Sequence, residues 1–234
     1  MRSSRRKAPA GPGFSTRRPV GGVGFSRIEL LVVIAIIAVL AGMLLPALAR
    51  TKAKGRAAQC VSQMRQIAYA IRFYADDNND EFPRSLHSAF AHGQLPWGRA
   101  VASSLGATGT SYTNLFRGVY RCPADKRATP WSYGQNVYFE LNPDADDYVG
   151  RPTTWRRLAA IPRPAATILH AENASAADHI MAHFWMSPAD ATDVDTKRHG
   201  GRAHVTFVDG HAAPQRLRET YEPSNHIDLW NPSR

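Results

Sequence analysis

Nine histidines and two cysteines are the side chains in this chain best able to hold a metal or move a proton. The densest group is His199, His204, Asp209 and His211, with His170-Ala171-Glu172 and His179 to His183 as further contributors. No spacing among them reproduces a zinc pattern. The same segment has a plain structural reading. Ala203-His204-Val205-Thr206-Phe207-Val208 alternates as a strand, Asp209-Gly210 makes a hairpin turn, and His211-Ala212-Ala213 begins the return. His204 then shares a face with Thr206 and Val208, opposite Val205 and Phe207. The expectation is a structural hairpin entered through Arg198-His199-Gly200-Gly201, with His199 bonding across to the turn. A metal or active site at His199, His204, Asp209 and His211 is the alternative.

Asp76, Asn78 and Asp80 match the first three ligand positions of a calcium loop, but the glycine position is Glu81 and the bidentate glutamate position is His87. The stretch therefore reads as a solvated helix end stopped by Pro83. Cys60 and Cys122 allow either a disulfide across a long interval or two separate buried thiols. Trp97, Trp131, Tyr133, Tyr138, Trp155 and Trp185 either line a groove for glycan or peptide or fill the core. Asp144, Asp146 and Asp147, with Asp193 and Asp195, read as solvated loop acids. No motif calls for a cofactor, and no residue is assigned a catalytic role.

Glu29 stands apart because it heads an apolar run. Residues 30–49 contain no polar side chain, and as a helix they measure about 30 Å, enough to cross a bilayer. A carboxylate at the head of such a helix is costly in lipid unless it finds a partner or serves the helix dipole. Residues 1–24 hold six basic residues and no acid, so they read as a disordered leader retained in the cytoplasm. Positive charge before the run exceeds that of Arg50, Lys52, Lys54 and Arg56 after it, which puts the C-terminal part outside. Of the net +10 charge, six belong to the leader, and the remainder is too small and dispersed to predict nucleic-acid binding by the soluble part.

The elements that must position these groups follow from periodicity. Ala57, Val61, Met64, Ile67, Ala68, Ile71 and Tyr74 or Ala75 form one stripe of an amphipathic helix that continues the span, with Pro46 expected to bend it. The pattern divides into a leader (1–24), a membrane or filament-core helix (25–49), a stalk helix (50–80) and an extracytoplasmic globular domain (81–234). The expected fold class is α+β, with the long helix packed on a small antiparallel sheet carrying long loops.

Gly24-Phe25-Ser26-Arg27-Ile28-Glu29 and the apolar residues after it resemble the signal of type IV prepilins and type II secretion pseudopilins. Cys60 to Ile67, Tyr74 to Pro83, Tyr120 to Asp125, Ser132 to Asn136 and the His199-x9-Asp209-Gly210 segment resemble a bacterial prepilin-type group with a C-terminal H-x9-D-G motif. The resemblance implies a pilin-like fold, cleavage by prepilin peptidase between Gly24 and Phe25, N-methylation of Phe25, and registration of subunits by Glu29 against a neighbour's N-terminus. It implies as partners the peptidase/methyltransferase, other pilin or pseudopilin subunits, an inner-membrane assembly platform and lipid. Arg27 departs from the family pattern, which is usually apolar there. The function expected is a non-enzymatic filament subunit in a single-pass inner-membrane protein. The alternative is a membrane-tethered metal-dependent enzyme or glycan-binding module.

Overall fold

The computed structural model describes residues 26–107, 113–140 and 155–234. Gly24, Phe25, the leader, Asp144, Asp146 and Asp147 lie outside them. The chain divides into two compact units, 1–47 and 48–234, with the boundary inside one helix.

That helix, α1 (Arg27–Asp77), is 51 residues long and continues through Pro46. In the first unit the apolar side chains from Ile28 to Leu45 are almost all exposed, and none is buried in protein. A helix apolar on every side needs an apolar surrounding. The helix is long and apolar enough to span a membrane.

In the second unit α1 buries Cys60, Gln63, Met64, Ile67, Ala68, Ala70, Ile71 and Ala75. The three- and four-residue steps through Met64, Ile67, Ala68 and Ile71 follow the expected stripe, whereas Val61 and Tyr74 are only half-buried. Gln63 enters the stripe because both ends of its amide are satisfied: Nε2 donates to the Gly118 carbonyl at 3.0 Å, and Oε1 accepts from the Tyr133 hydroxyl at 2.8 Å. Asn79 and Asp80 take left-handed backbone conformations beyond the helix end. Asp80 is tied down there, its carboxylate accepting from the Ala159 N–H at 2.7 Å.

The stripe faces a five-stranded sheet ordered β3-β1-β2-β4-β5: β1 (Tyr133–Asn136), β2 (Ile168–Glu172), β3 (His179–Ile180), β4 (Ala203–Phe207) and β5 (Ala212–Gln215). The sheet is mixed rather than antiparallel, since β3 runs parallel to β1. A second, two-stranded sheet joins β6 (Tyr221–Glu222) to β7 (Ile227–Asp228). Both faces of β2 and β4 are covered. One face packs with α1, where Leu169, Tyr133 and Val208 join Cys60, Met64, Ile67 and Ile71. The other packs Ile168, Ala171, Val205 and Phe207 against Trp185 and Trp230. Ile168 and Ala171, three residues apart, reach the same side through a β-bulge between Ile168 and His170.

Trp97, Tyr133 and Trp185 are buried, and Trp131 and Trp155 pack against the helix-side core. Trp97, Tyr120 and Trp131 touch one another with ring centroids 5.1 to 5.3 Å apart. These aromatics fill the domain and do not form an exposed platform.

Candidate functional site

Two places gather the residues singled out by chemistry. The first is the head of α1. Ser26 N–H donates to Glu29 Oε2 at 2.8 Å, and Glu29 N–H donates to Ser26 Oγ at 3.1 Å. This is a reciprocal capping box, which satisfies two donors that a helix start leaves open. Its Ser-x-x-Glu signature stands directly before the apolar run, a local signal readable in the sequence beside the dipole and neighbouring-subunit roles expected of Glu29. Glu29 is thus held at the first turn with its carboxylate exposed and available for exchange.

The second lies between α1 and the sheet. Cross-strand register puts Tyr133 opposite Glu172 and Gln135 opposite His170, while His170 faces Thr206 and Ala171 faces Val205. Side-chain alternation then turns Glu172 and His204 toward α1. Glu172 is completely buried. His199 Nε2 lies 2.9 Å from Glu172 Oε1, and His204 contacts Oε2 through its backbone N–H at 2.9 Å and through Nδ1 at 3.4 Å. Burial would raise the carboxyl's pKa, but hydrogen bonds from both histidines outweigh it and hold the group below its ordinary value.

Arg198 extends the cluster. Its guanidinium is 3.7 Å from Glu172 Oε1, 3.1 Å from Asp125 Oδ2 and 2.8 Å from Asp195 Oδ2, and it donates to the carbonyls of Ser132 and Asn173. Asp125 also takes a two-pronged contact from Arg127 and accepts from Ser132 Oγ at 2.7 Å. These donors overcome burial and push its carboxyl far below the usual range. Asp195 is therefore an anchoring acid and not a solvated one. Asp193 likewise accepts from the Met181 N–H at 2.7 Å.

Against this cluster rests a Cys60–Cys122 disulfide with a Cα–Cα distance of 5.1 Å. Cys122 Sγ is 3.3 Å from His199 Nε2. The bond joins α1 to the Tyr120–Asp125 loop, so one cross-link and one carboxylate fix the helix, the sheet and two loops at a common point.

The H-x9-D-G motif splits between two tasks. His199 belongs to the Glu172 cluster at one end of β4. Asp209 and Gly210 form the turn at the other end, about 17 Å along the strand from His204. The expected bond from His199 to the turn is absent because β4 runs between them. For the same reason His199, His204, Asp209 and His211 do not converge on a metal site: the first two rings are 4.3 Å apart, while His211 Nδ1 pairs with Asp209 Oδ1 at 2.6 Å.

The turn itself follows the expectation. Gly210 N–H donates to the Phe207 carbonyl, and Phe207 N–H donates to the His211 carbonyl, each at 2.9 Å. Gly210 has φ +94°, and a Cβ there would meet the Tyr69 ring at 3.2 Å. Glycine is needed for conformation and for approach to α1. Arg72 Nη1 seals that contact by donating to the Asp209 carbonyl at 3.0 Å.

Chemically, the Glu172 cluster is a closed structural knot. Its Oε2 accepts the His204 N–H, its Oε1 stands at ion-pair distance from His199 and Arg198, and the neighbouring open cavity of about 760 Å³ is lined by Arg127 and Arg198, whose charges are already paired with Asp125 and Asp195. Comparison of the chain with protein-family models, curated proteins and solved structures finds no match to any of them.

Proposed function

We propose that this chain is a prepilin-like subunit, cut after Gly24 by a prepilin peptidase, N-methylated on Phe25, and assembled into a type II secretion pseudopilus or a type IV pilus-like filament. The observation that carries the reading is the head of α1, where a carboxylate in the first turn is followed by an apolar surface exposed on all sides. Such a surface is satisfied by lipid before assembly and by the same helices of other subunits afterwards. The leader's charge favours a cytoplasmic N-terminus, with residues 81–234 displayed outside. The partners are the peptidase/methyltransferase, an inner-membrane assembly platform and other pilin or pseudopilin subunits.

Glu29 has two roles in sequence. In the monomer it caps its own helix through Ser26. In the filament the ammonium group of a neighbour's Phe25 replaces the Ser26 N–H, exchanging a neutral donor for a charged one in an apolar setting. Glu29→Ala removes both contacts, and Glu29→Gln keeps the cap while losing the charge. Both variants are expected to reach the membrane normally and to fall at least roughly tenfold in sheared surface fractions, the equivalent of about 1.4 kcal/mol per subunit. Glu29→Gln assembling as well as wild type would remove the registration role.

A further inference from the structure

The disulfide occupies an unusual setting. Cys60 Sγ, Cys122 Sγ, one Glu172 carboxylate oxygen and a His199 ring nitrogen all lie within 4.8 Å of one another. The sulfurs, Glu172 and His199 come from α1, the Tyr120–Asp125 loop, β2 and the loop before β4, so four separate elements converge their donor atoms. A disulfide needs no carboxylate or imidazole beside it. A metal ion needs all four.

We propose that in the dithiol state Cys60, Cys122, His199 and Glu172 bind one zinc ion, and that metal and disulfide are alternative occupants of the same junction. Two thiolates, an imidazole and a carboxylate make a tetrahedral set suited to a borderline d¹⁰ cation, whereas calcium and magnesium take oxygen ligands. With zinc–sulfur bonds of about 2.3 Å and zinc–nitrogen bonds of about 2.0 Å, neighbouring donors in a tetrahedron stand roughly 3.5 Å apart. The existing 3.3 Å between Cys122 Sγ and His199 Nε2 is close to that spacing. Two thiolates and one carboxylate exceed the charge of zinc by one, and the Arg198 guanidinium 3.7 Å from Glu172, which it shares with Asp125 and Asp195, offsets part of that excess. His204 holds the other Glu172 oxygen through its backbone N–H and so orients the carboxylate.

The chemistry closes without an added reductant in a newly made chain, whose cysteines begin as thiols. Zinc binding forms two Zn–S bonds and releases two protons. Later oxidation breaks both Zn–S bonds, forms the S–S bond, expels Zn²⁺ and passes two electrons to a disulfide oxidant. The ion would hold α1 against the sheet until the covalent bond replaces it. This inference stands apart from the filament reading, since it concerns only the 48–234 unit.

The test uses the full chain in detergent, reduced with a phosphine under anaerobic conditions and titrated with Co²⁺ as the spectroscopic probe. The expected result is one equivalent bound, with thiolate-to-cobalt charge-transfer bands and intense tetrahedral visible bands, both bleached by Zn²⁺ and absent from the oxidised chain. Cys122→Ser should halve the charge-transfer intensity or abolish it. His199→Gln and Glu172→Gln should each weaken the affinity at least roughly tenfold. Two such variants guard against the failure of one to fold, which circular dichroism reports. A reduced wild-type chain lacking charge-transfer bands would overturn the proposal. Bands whose affinity is unchanged in a folded His199→Gln or Glu172→Gln chain would overturn it equally.

Discussion

Replacing Cys60 and Cys122 together with alanine is expected to destabilise the 48–234 unit by about 4 kcal/mol, the largest loss available from any single cross-link here. The interval closed by the bond is 62 residues, and chain-entropy reasoning gives a value of that size for such a loop. The native state adds to the case, because the bond joins the stalk helix to a loop that also carries Asp125 and buried Tyr120. Without the bond, α1 keeps its apolar stripe and the Arg72 and Gln63 contacts, so the unit should loosen cooperatively without losing its fold. All five tryptophans lie between residues 97 and 230, so intrinsic fluorescence in a urea titration reads this unit alone. The midpoint should drop substantially in the double variant and in the reduced wild type. An unchanged midpoint in both would mean that the two sulfurs carry no cross-link.

The second large effect concerns pH. His170 is fully buried on β2, its ring 5.0 Å from that of Trp97, and neither ring nitrogen has a hydrogen-bond partner. Burial lowers its pKa to about 3. The folded chain therefore keeps it neutral while the unfolded chain takes up a proton below about 6.5, so stability present above that value is lost as pH falls toward 3. The full loss is on the order of 5 kcal/mol.

Glu140 works in the opposite direction. Burial raises its pKa to about 7, partly offset by hydrogen bonds from the Ser85 backbone and hydroxyl at 2.5 and 3.0 Å. The folded chain holds this proton more tightly than the unfolded one. Stability is then greatest below about 4.5 and declines by on the order of 3 kcal/mol as pH rises to 7. His179 carries the decline on above pH 6.5: burial lowers its pKa, but the Asp178 carboxylate at 3.0 Å outweighs that and raises it, so its stabilisation is lost only as pH rises past the ordinary histidine value.

Between pH 4.5 and 6.5 the His170 and Glu140 slopes oppose each other, and wild-type stability should be nearly flat. His170→Phe should therefore gain stability on acidification from pH 7 to 4.5, and Glu140→Gln should lose it. Below pH 4.5 Glu140 no longer opposes the His170 slope, and protonation of Asp125 and Glu172 joins it. Chemical denaturation at half-unit pH steps resolves the three curves. Parallel curves for wild type and His170→Phe would show that His170 does not titrate with unfolding.

How much of this was readable in the sequence depends on the range of the interaction. The long apolar helix was legible because residues 30–49 carry no polar side chain. The stalk stripe was legible because Met64, Ile67 and Ile71 repeat at helical spacing, and the β4–β5 turn because Asp209-Gly210 has one dominant geometry. Gln63 was not, because the groups that make its burial tolerable sit 55 and 70 residues away. Strand β1 was also hidden: Gln135 and Asn136 are polar yet completely buried, bonded to Pro83, Ile168 and Trp230. The parallel pairing of β3 rests on two residues, too few to leave a period.

The candidate site divides the same way. His199 and His204 were named, but their common partner Glu172 depends on cross-strand register and a bulge, which no local pattern displays. Asp209 and His211 were grouped with them by closeness in sequence. A five-residue strand separates them in space.

Entry of the chain into a filament as a processed subunit is decided by mass analysis of its N-terminus. Protein should be recovered from membranes and from sheared surface material of cells containing the peptidase. An N-terminal peptide starting at Phe25 and carrying one methyl group is expected in both fractions, with residues 1–24 lost. A chain retaining those residues, with Phe25 unmethylated and no material in the sheared fraction, would contradict it.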